Sequence, residues 1–574
     1  MTKTEEGVRD FDDMLEAVGP FGAWQIFVVV QIVLITSFTA TLVIGPIFQQ
    51  ITPPFSCDAP GLKPHWTVQQ KLNISSPEQA QLFENTLSGP QLDACLYYQF
   101  NYTALPEDFD AAYSIVQSER AGNASTVRCD SWSYDRSIDM TNTPITQFDL
   151  VCDQRFGYEV TQSLYFLGWM VGNGLSGNLA DWLGRKPASI MTILSAFLVN
   201  SALAFAPNYW SFAVGRFFGA ATGTSCAVIL MALLVEIVGV QYRGWLGGLF
   251  FLPYAAVYVL LPWLAYLLRD WAWLQLITSA PLAVALVYFF TLPESPRLLL
   301  VHGQVEKAER ILRSAAKWNR REYPDAPIEA ISQEMRKDMG KSESFLRVFK
   351  FKGCLPQFPR LLLVVLATFF VWFSISLVYF GIVLNISNYH GSRFLNNSLA
   401  GVAEVIACLL GMPLLLWSRK YAVLLSAAVT AAVFAALPFL THLADGGAGY
   451  SWRVALAMVG KFCTTTAYNT LFVHTAEVLP TSIRSSVLAL SSAAGGAGSI
   501  GGPYIVAITK LDASLSWLVE ALLAVVALLC AAAMALLPET RDAQMSETIE
   551  EAEDNLRNGL KRRLTRVSSN KDEQ

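Results

Sequence analysis

Two residues of opposite charge stand inside stretches otherwise too apolar to hold them: Glu404 in LNNSLAGVAEVIACLLG and Lys461 in VALAMVGKFCTTTAY. A charge in such surroundings costs several kcal/mol unless it is paired or hydrated. The chemistry they suggest is ionic recognition, either contact with charged groups of a small solute or pairing with each other as an internal strut. At helical rise Glu404 lies about eight residues, roughly 12 Å, inside its stretch, and Lys461 about ten residues inside, near the middle. Other chemistries find no support. The histidines, His65, His302, His390, His442 and His474, lie far apart, and His474 near Glu477 reads as a structural neighbour. No His and carboxylate set has metal spacing, and there is no Walker loop. Neither an enzyme nor an ATP-driven pump is expected, nor any metal or cofactor.

The elements that must position these residues are apolar blocks. With 574 residues, 53% hydrophobic and 15% charged, the chain does not read as an ordinary soluble domain. Twelve blocks of roughly 20 residues or more, enough to cross about 30 Å of hydrocarbon, lie near 22–49, 160–179, 187–206, 209–235, 245–268 and 272–292, then 361–385, 397–417, 421–442, 452–476, 486–508 and 514–537. The opening segment has no short apolar run ending in a cleavage site, so the first block is expected to remain as an anchor. The formal net charge of −5 implies no nucleic-acid partner.

Lys and Arg favour cytoplasmic loops. Arg185, Lys186, Arg243, Arg419, Lys420, Arg484, the basic segment 294–352 and Lys561 to Arg563 share one side when both termini are cytoplasmic. The segment 50–157 then lies outside the cell. It carries Cys57, Cys95, Cys129 and Cys152, which predict two disulfides of undetermined pairing. It also carries glycosylation sequons at Asn73, Asn101 and Asn123.

The two sets of six blocks repeat. Gly177, Asp181, Arg185 and Lys186 recur as Gly411, Leu415, Arg419 and Lys420 at the same offsets. Glu236 precedes Arg243 by seven residues, as Glu477 precedes Arg484, and each half closes on a Leu-Pro-Glu phrase with Glu294 and Arg297 or Glu539 and Arg541. An acid facing an Arg at the lipid boundary is partly desolvated, so it pairs firmly yet can open to water. These residues are read as latches that bias a rocking equilibrium.

GNLADWLGRK, from Gly177 to Lys186, resembles the signature loop of the major facilitator superfamily. GPFGAWQ, WSYDRS, FDLVCDQ, LLRDW, LPESPRLLLVHGQVEKAERILRSAAKWN, WFSISLVYFGIVLN, AEVLPTSIR and LLPETRD resemble one branch, the organic cation, anion and zwitterion transporters of solute carrier family 22, with AVGPFGAWQ and LLPETRDAQMSET most similar to its organic-anion-transporter-like members. The resemblance implies an all-α membrane protein of twelve helices in two pseudo-symmetric six-helix bundles. It implies domains at 1–21 (cytoplasmic), 22–292 (first bundle, with the glycosylated loop 50–157), 293–358 (cytoplasmic central loop), 359–537 (second bundle) and 538–574 (cytoplasmic tail).

The resemblance also places Glu404 and Lys461 on cavity-lining helices and makes Tyr379 and Phe380 the paired aromatics of the seventh helix. Aromatic faces attract cations and accept flat apolar bodies, whereas Trp372 reads as packing. Seven residues before Pro503 the family places a charge, Asp in cation carriers and Arg in anion and carnitine carriers; here stands Gly496. Thr224 and Ala227 likewise replace Lys and Trp of cation carriers. The implied function is alternating-access transport of small organic ions, anion, cation or carnitine-like zwitterion, across the plasma membrane. A neutral-solute porter or a non-transporting receptor on the same scaffold is the alternative.

Val305, Ala308, Ile311, Leu312 and Ala315 share one face of a predicted cytoplasmic helix that would brace the two halves. Ser568 and Ser569 are candidate phosphorylation positions.

Overall fold

The structure is a computed structural model of the whole chain. It describes residues 10–76, 95–120, 125–137, 140–324, 328–339, 348–349, 351–352, 355–389, 391–443, 447–480, 483–510, 515–541, 546 and 548–557. Asn123, Cys354, His390, Ser568, Ser569 and the basic run at 561–563 lie outside the described residues.

Twelve spanning helices form two six-helix bundles. In the first half they are Ala23–Ile44, Gly157–Leu183, Arg185–Leu203, Tyr209–Ile237, Leu252–Leu268 and a broken sixth made of Trp271–Ser279, a 3-10 stretch Ala280–Val284 and Ala285–Thr291. In the second they are Pro359–Asn385, Arg393–Trp417, Arg419–Leu443, Gly447–Val478, Arg484–Ala507 and Ser516–Leu536. Eight are long and apolar enough to cross a membrane on length and composition alone among the described residues. The other four are the second, fifth, tenth and eleventh. Three of them are less apolar: second and eleventh pack on each other across the halves, and the tenth carries Lys461; the fifth, which packs on the eighth, is strongly apolar. The fifth is short, because the block read as 245–268 divides at Phe250 and Phe251 into Val240–Leu249 and Leu252–Leu268.

The contact of second with eleventh is the pseudo-twofold mate of that between eighth and fifth, so the halves touch along two equivalent seams. Gly496 lies on the first seam: an added Cβ would stand 2.9 Å from the Met170 Cβ. Absence of a side chain here allows the two helices to approach, the usual role of small residues between membrane helices.

The long loop between first and second spans has its own small core, with Phe55, Leu72, Ile145, Leu150, Val151 and Tyr158 in one cluster and Trp66, Ile74, Tyr102 and Val116 in another. Two antiparallel strand pairs, Phe55–Cys57 with Trp132–Tyr134 and Leu96–Tyr98 with Thr126–Arg128, organise it. Disulfides join Cys57 to Cys129 and Cys95 to Cys152, resolving the pairing left open by the sequence. The end of the loop is tied to the bundle where Thr141 donates to the Arg269 carbonyl at 2.7 Å. Asn73 is half-buried on the helix Val68–Ser75, and Asn101 is exposed.

On the opposite face, helices Phe11–Val18, Pro296–Val301, Val305–Trp318 and Ile328–Met339 pack through Met14, Leu15, Leu300, Ala308, Leu312 and Ile331. The amphipathic face expected at 305–317 is present, and among the described residues the helix packs mainly on Pro296–Val301, Phe11–Val18, Ile328–Met339 and the first span. The second half has a separate cover: Ile549 and Ala552 of the tail pack with Phe358, Leu361 and Leu479, and Glu553 accepts from the Leu361 amide at 2.8 Å.

The phrase GPFGAWQ acquires a physical account here. Asn319 ends the helix Val305–Trp318 and reaches the start of the first span, accepting from the Trp24 amide at 3.0 Å and donating to Val18 O (3.1 Å) and Gln25 Oε1 (2.9 Å). Gly22 leaves room for the Asn319 amide, which a Cβ would strike, and Gly19 turns the chain at φ +116°. An N-terminal amide that the helix cannot satisfy is thereby satisfied from outside.

Candidate functional site

Glu404 of the eighth span and Lys461 of the tenth meet. Lys461 Nζ lies 2.9 Å from Glu404 Oε2, and both are buried, Lys461 completely. Tyr379 of the seventh span donates its hydroxyl to Glu404 Oε1 at 2.7 Å. The Lys461 ammonium also stands 3.6 Å from the centroid of the Tyr379 ring and 5.4 Å from that of Tyr258 on the fifth span. Four helices from both halves therefore converge on one ion pair whose cation is further stabilised by aromatic faces. Of the two roles considered for these charges, pairing with each other is the one this conformation displays.

The other predicted site residues are distributed differently. Phe380 turns away from the pair and packs edge-on against Phe166 (4.6 Å) and Trp169 (5.4 Å) of the first half. Gly496 belongs to the helix seam described above, so its lack of charge is a packing requirement of this chain. Trp372 is buried, donates to Thr475 Oγ1 at 2.9 Å and packs on Tyr468 and Phe472.

The pair is closed in from both ends. On the side of the long loop, Phe48 stacks on Phe394 at 5.8 Å, and Tyr266 meets the same ring at 5.4 Å. Polar ties reinforce this seal, with Trp263 Nε1 donating to Ser398 Oγ (3.1 Å) and Gln50 to the Leu384 carbonyl (3.1 Å). On the side of the termini, Tyr468 and Phe472 continue the aromatic column, and Phe472 meets Phe251 of the first half at 5.8 Å. A solute could reach the pair only after one of these layers parts.

Sequence reasoning missed three further charges within the apolar blocks. Arg216 on the fourth is buried, donates to Gln162 Oε1 at 2.6 Å and lies over the Tyr165 ring at 4.6 Å. Arg453 and Glu520, near the loop-side ends of the tenth and twelfth, pair at 2.6 Å beside Tyr389. The signal was available: each is an ionisable residue inside an apolar block.

At the termini face the repeated acids and bases form two related clusters, with one correction. In the first half the residues seven apart each take another partner. Glu236 pairs with Arg185 (2.9 Å), which also holds Asp181 (2.6 Å), while Arg243 pairs with Asp12 (2.5 Å) and donates to the Val235 carbonyl. In the second half Glu477 likewise pairs with Arg419 (3.2 Å), and Arg484 contacts the Leu479 carbonyl. Helix ends direct side chains toward the preceding turn and a neighbouring helix, so sequence spacing does not identify the partner.

The Leu-Pro-Glu phrases have one shared use. Glu294 accepts from the amides of Arg185 (2.8 Å) and Lys186 (3.2 Å), and Glu539 from the amide of Arg419 (3.2 Å) and the Ser418 hydroxyl. Each caps the third helix of its own half with a carboxylate, where the free amides and the helix dipole favour negative charge. Gly184, at φ +102°, makes the turn that presents these amides. Burial pushes the Glu294 carboxyl above its ordinary value, outweighing its amide bonds. Burial acts the same way on Glu539, but the Ser418 hydroxyl and surrounding amides prevail and hold it below. Lys420 donates to the carbonyls of Ala535 (2.7 Å) and Leu537 (2.6 Å), and Arg541 to that of Trp417 (2.6 Å). Lys186 stands 5.9 Å from the Phe289 ring centroid, and Arg297 is exposed.

Two duplicated six-helix bundles that meet around buried charge, closed by a separate layer at each end, define a multi-pass membrane transporter and not an enzyme. The sequence model of the family described as "Sugar (and other) transporter" matches residues 137–552. The chain is 30% identical to solute carrier family 22 member 7 of Pongo abelii over 95% of this chain and 96% of that one. It is 29% identical to the organic cation transporter protein of Drosophila melanogaster over 95% and 94% respectively. The inward open xylose transporter XylE from E. coli shares the fold, with TM-score 0.54 at 17% identity over 70% of this chain and 89% of that one. The chain belongs to the sugar (and other) transporter family and to solute carrier family 22.

Proposed function

We propose that the protein carries small organic ions across the plasma membrane by alternating access, with both termini in the cytoplasm and the disulfide-bonded loop outside. The observation that supports this most is the buried Glu404–Lys461 pair under Tyr379. In a low-dielectric interior, one charge can leave its partner only if another takes its place, because an uncompensated buried ion costs several kcal/mol. A cationic group competes for Glu404, an anionic group for Lys461, and a zwitterion for both together. Relatives named for organic cation transport agree with a charged cargo. A sugar has no charge to offer in this exchange.

In this reading Tyr379 retains the carboxylate while the partners change, and the aromatic layers through Phe394 and Phe472 part alternately. Asp181, Arg185, Glu236, Glu294, Arg419, Glu477 and Glu539 hold the cytoplasmic ends in register and release them as the bundles rock, while Arg243 fastens the N-terminal helix through Asp12. Asn73, Asn101 and Asn123 carry the glycans. The test is uptake into proteoliposomes of radiolabelled organic cations, anions and zwitterions, comparing the intact chain with Glu404→Gln and Lys461→Met. Selective loss of cations in the first variant and of anions in the second supports direct competition for the pair. Saturable uptake unaffected by either substitution would remove the pair from substrate recognition.

A further inference from the structure

A cavity of about 810 Å³ opens at the termini face, between the first span, the turn joining second and third, the end of the sixth and the helix Val305–Trp318. It lies outside the substrate route, on the outer flank of the first bundle. Its walls combine two kinds of residue. Lys186, Lys307 and Arg310 bring positive charge, against a single lining carboxylate, Glu294, which is already occupied by the amides of Arg185 and Lys186. Among the described residues Arg310 makes one long, exposed contact of 3.5 Å, with Glu306. The apolar part of the wall includes Trp24, Trp182, Phe290 and Trp318, with Trp182 80% and Phe290 81% exposed.

Large exposed aromatics where spanning helices end are what the boundary of a bilayer accommodates. Basic side chains just beyond that boundary attract anionic headgroups of the leaflet they face. A free anion would use the cations but leave the aromatic wall without a partner. An acyl chain would use the wall but leave the cations in excess. We infer that this cavity binds an anionic phospholipid, its phosphate against Lys307, Arg310 and Lys186 and its chains along Trp182 and Phe290. The inference uses the membrane orientation proposed above and is independent of which solute is carried.

The test uses the full chain, reconstituted in mixed phosphatidylglycerol and phosphatidylcholine, extracted gently and weighed by native mass spectrometry with lipid bound. Lys307 and Arg310 are exposed on one helix, so Lys307→Gln/Arg310→Gln is expected to fold, as checked by its melting curve. Lys317→Gln/Arg320→Gln removes two exposed charges that do not line the cavity. The intact chain and the second variant should retain phosphatidylglycerol in preference to phosphatidylcholine. The first should lose about fivefold in retention for each charge removed, roughly thirtyfold for the pair. Equal retention of both lipids by the intact chain, or equal losses in the two variants, would overturn the proposal. So would displacement of the bound lipid by inorganic phosphate, which would assign the charges to a free anion.

Discussion

Replacing Lys461 by Met keeps the length of the side chain and removes its charge. In the wild type the ion pair, 2.9 Å apart, contributes an attraction of about 6 kcal/mol at an effective dielectric near 20, most of it offset by removing both groups from water. The variant retains the cost of burying Glu404 and loses the compensation, leaving the Tyr379 hydroxyl as its strong partner. The expected loss of stability is about 3–5 kcal/mol. Lys461→Met/Glu404→Gln removes both charges and should recover most of it. Scanning fluorimetry in detergent, all proteins at one scan rate because membrane proteins often unfold irreversibly, measures the order wild type, double, single. Uptake then separates strut from contact: the double variant regains stability without regaining transport of ions. A single variant as stable as the wild type, or a double variant no better than the single, would refute the reasoning.

Other outcomes follow from the same geometry. Gly22→Ala places a methyl against the Asn319 side chain and should destabilise the first span by about 1–3 kcal/mol, with Asn319→Ser partly restoring melting temperature. The two capping carboxylates should respond to acid with opposite sign. Glu539, held low, stabilises the fold above its unfolded pKa, and this is lost as pH falls through its folded value. Glu294, held high, makes the fold gain as pH falls through its folded value toward the unfolded one. Melting temperature between neutral pH and the acid limit of solubility, compared with Glu539→Gln and Glu294→Gln, checks both. Cys95→Ser/Cys152→Ser opens a loop of 57 residues and should cost the loop between the first two spans about 4 kcal/mol in the chain-entropy account, read as faster proteolysis of that loop. Arg185→Gln leaves Glu236 without its cation and should cost about 2 kcal/mol, read as a lower melting temperature and a changed ratio of inward to outward accessible states by cysteine labelling.

Much of the fold was legible because crossing a bilayer forces long apolar blocks, and duplication repeats their charged ends. The breaks were less so. The sixth span loses regular helix at Ala280–Val284, where Pro281 stands, and the fifth begins anew before Pro253. Both prolines are visible in the sequence, but whether a proline bends, breaks or is tolerated depends on what neighbouring helices supply. The site was legible as a list of ionisable residues and not as a set of pairs. Glu404 and Lys461 are 57 residues apart and Arg453 and Glu520 are 67 apart, so their meeting is a property of bundle geometry. The latches show the same limit: Glu236 and Arg243 are near in sequence, yet one faces the third span and the other Asp12. Gly496 read as a missing charge becomes intelligible only beside Met170. The tail at 549–557 has few apolar residues, yet Ile549 and Ala552 suffice to seat it on the second bundle.

Transport as proposed requires a charged organic solute to exchange places with one member of the buried pair. Counterflow in proteoliposomes tests it most directly: vesicles loaded with an unlabelled organic cation, anion, zwitterion or neutral sugar are challenged with trace labelled solute of the same class. Saturable counterflow is expected for at least one charged class and not for the sugar, with the active class lost in Glu404→Gln or Lys461→Met according to its charge. Counterflow of the neutral sugar alone, retained in both variants, would contradict the account.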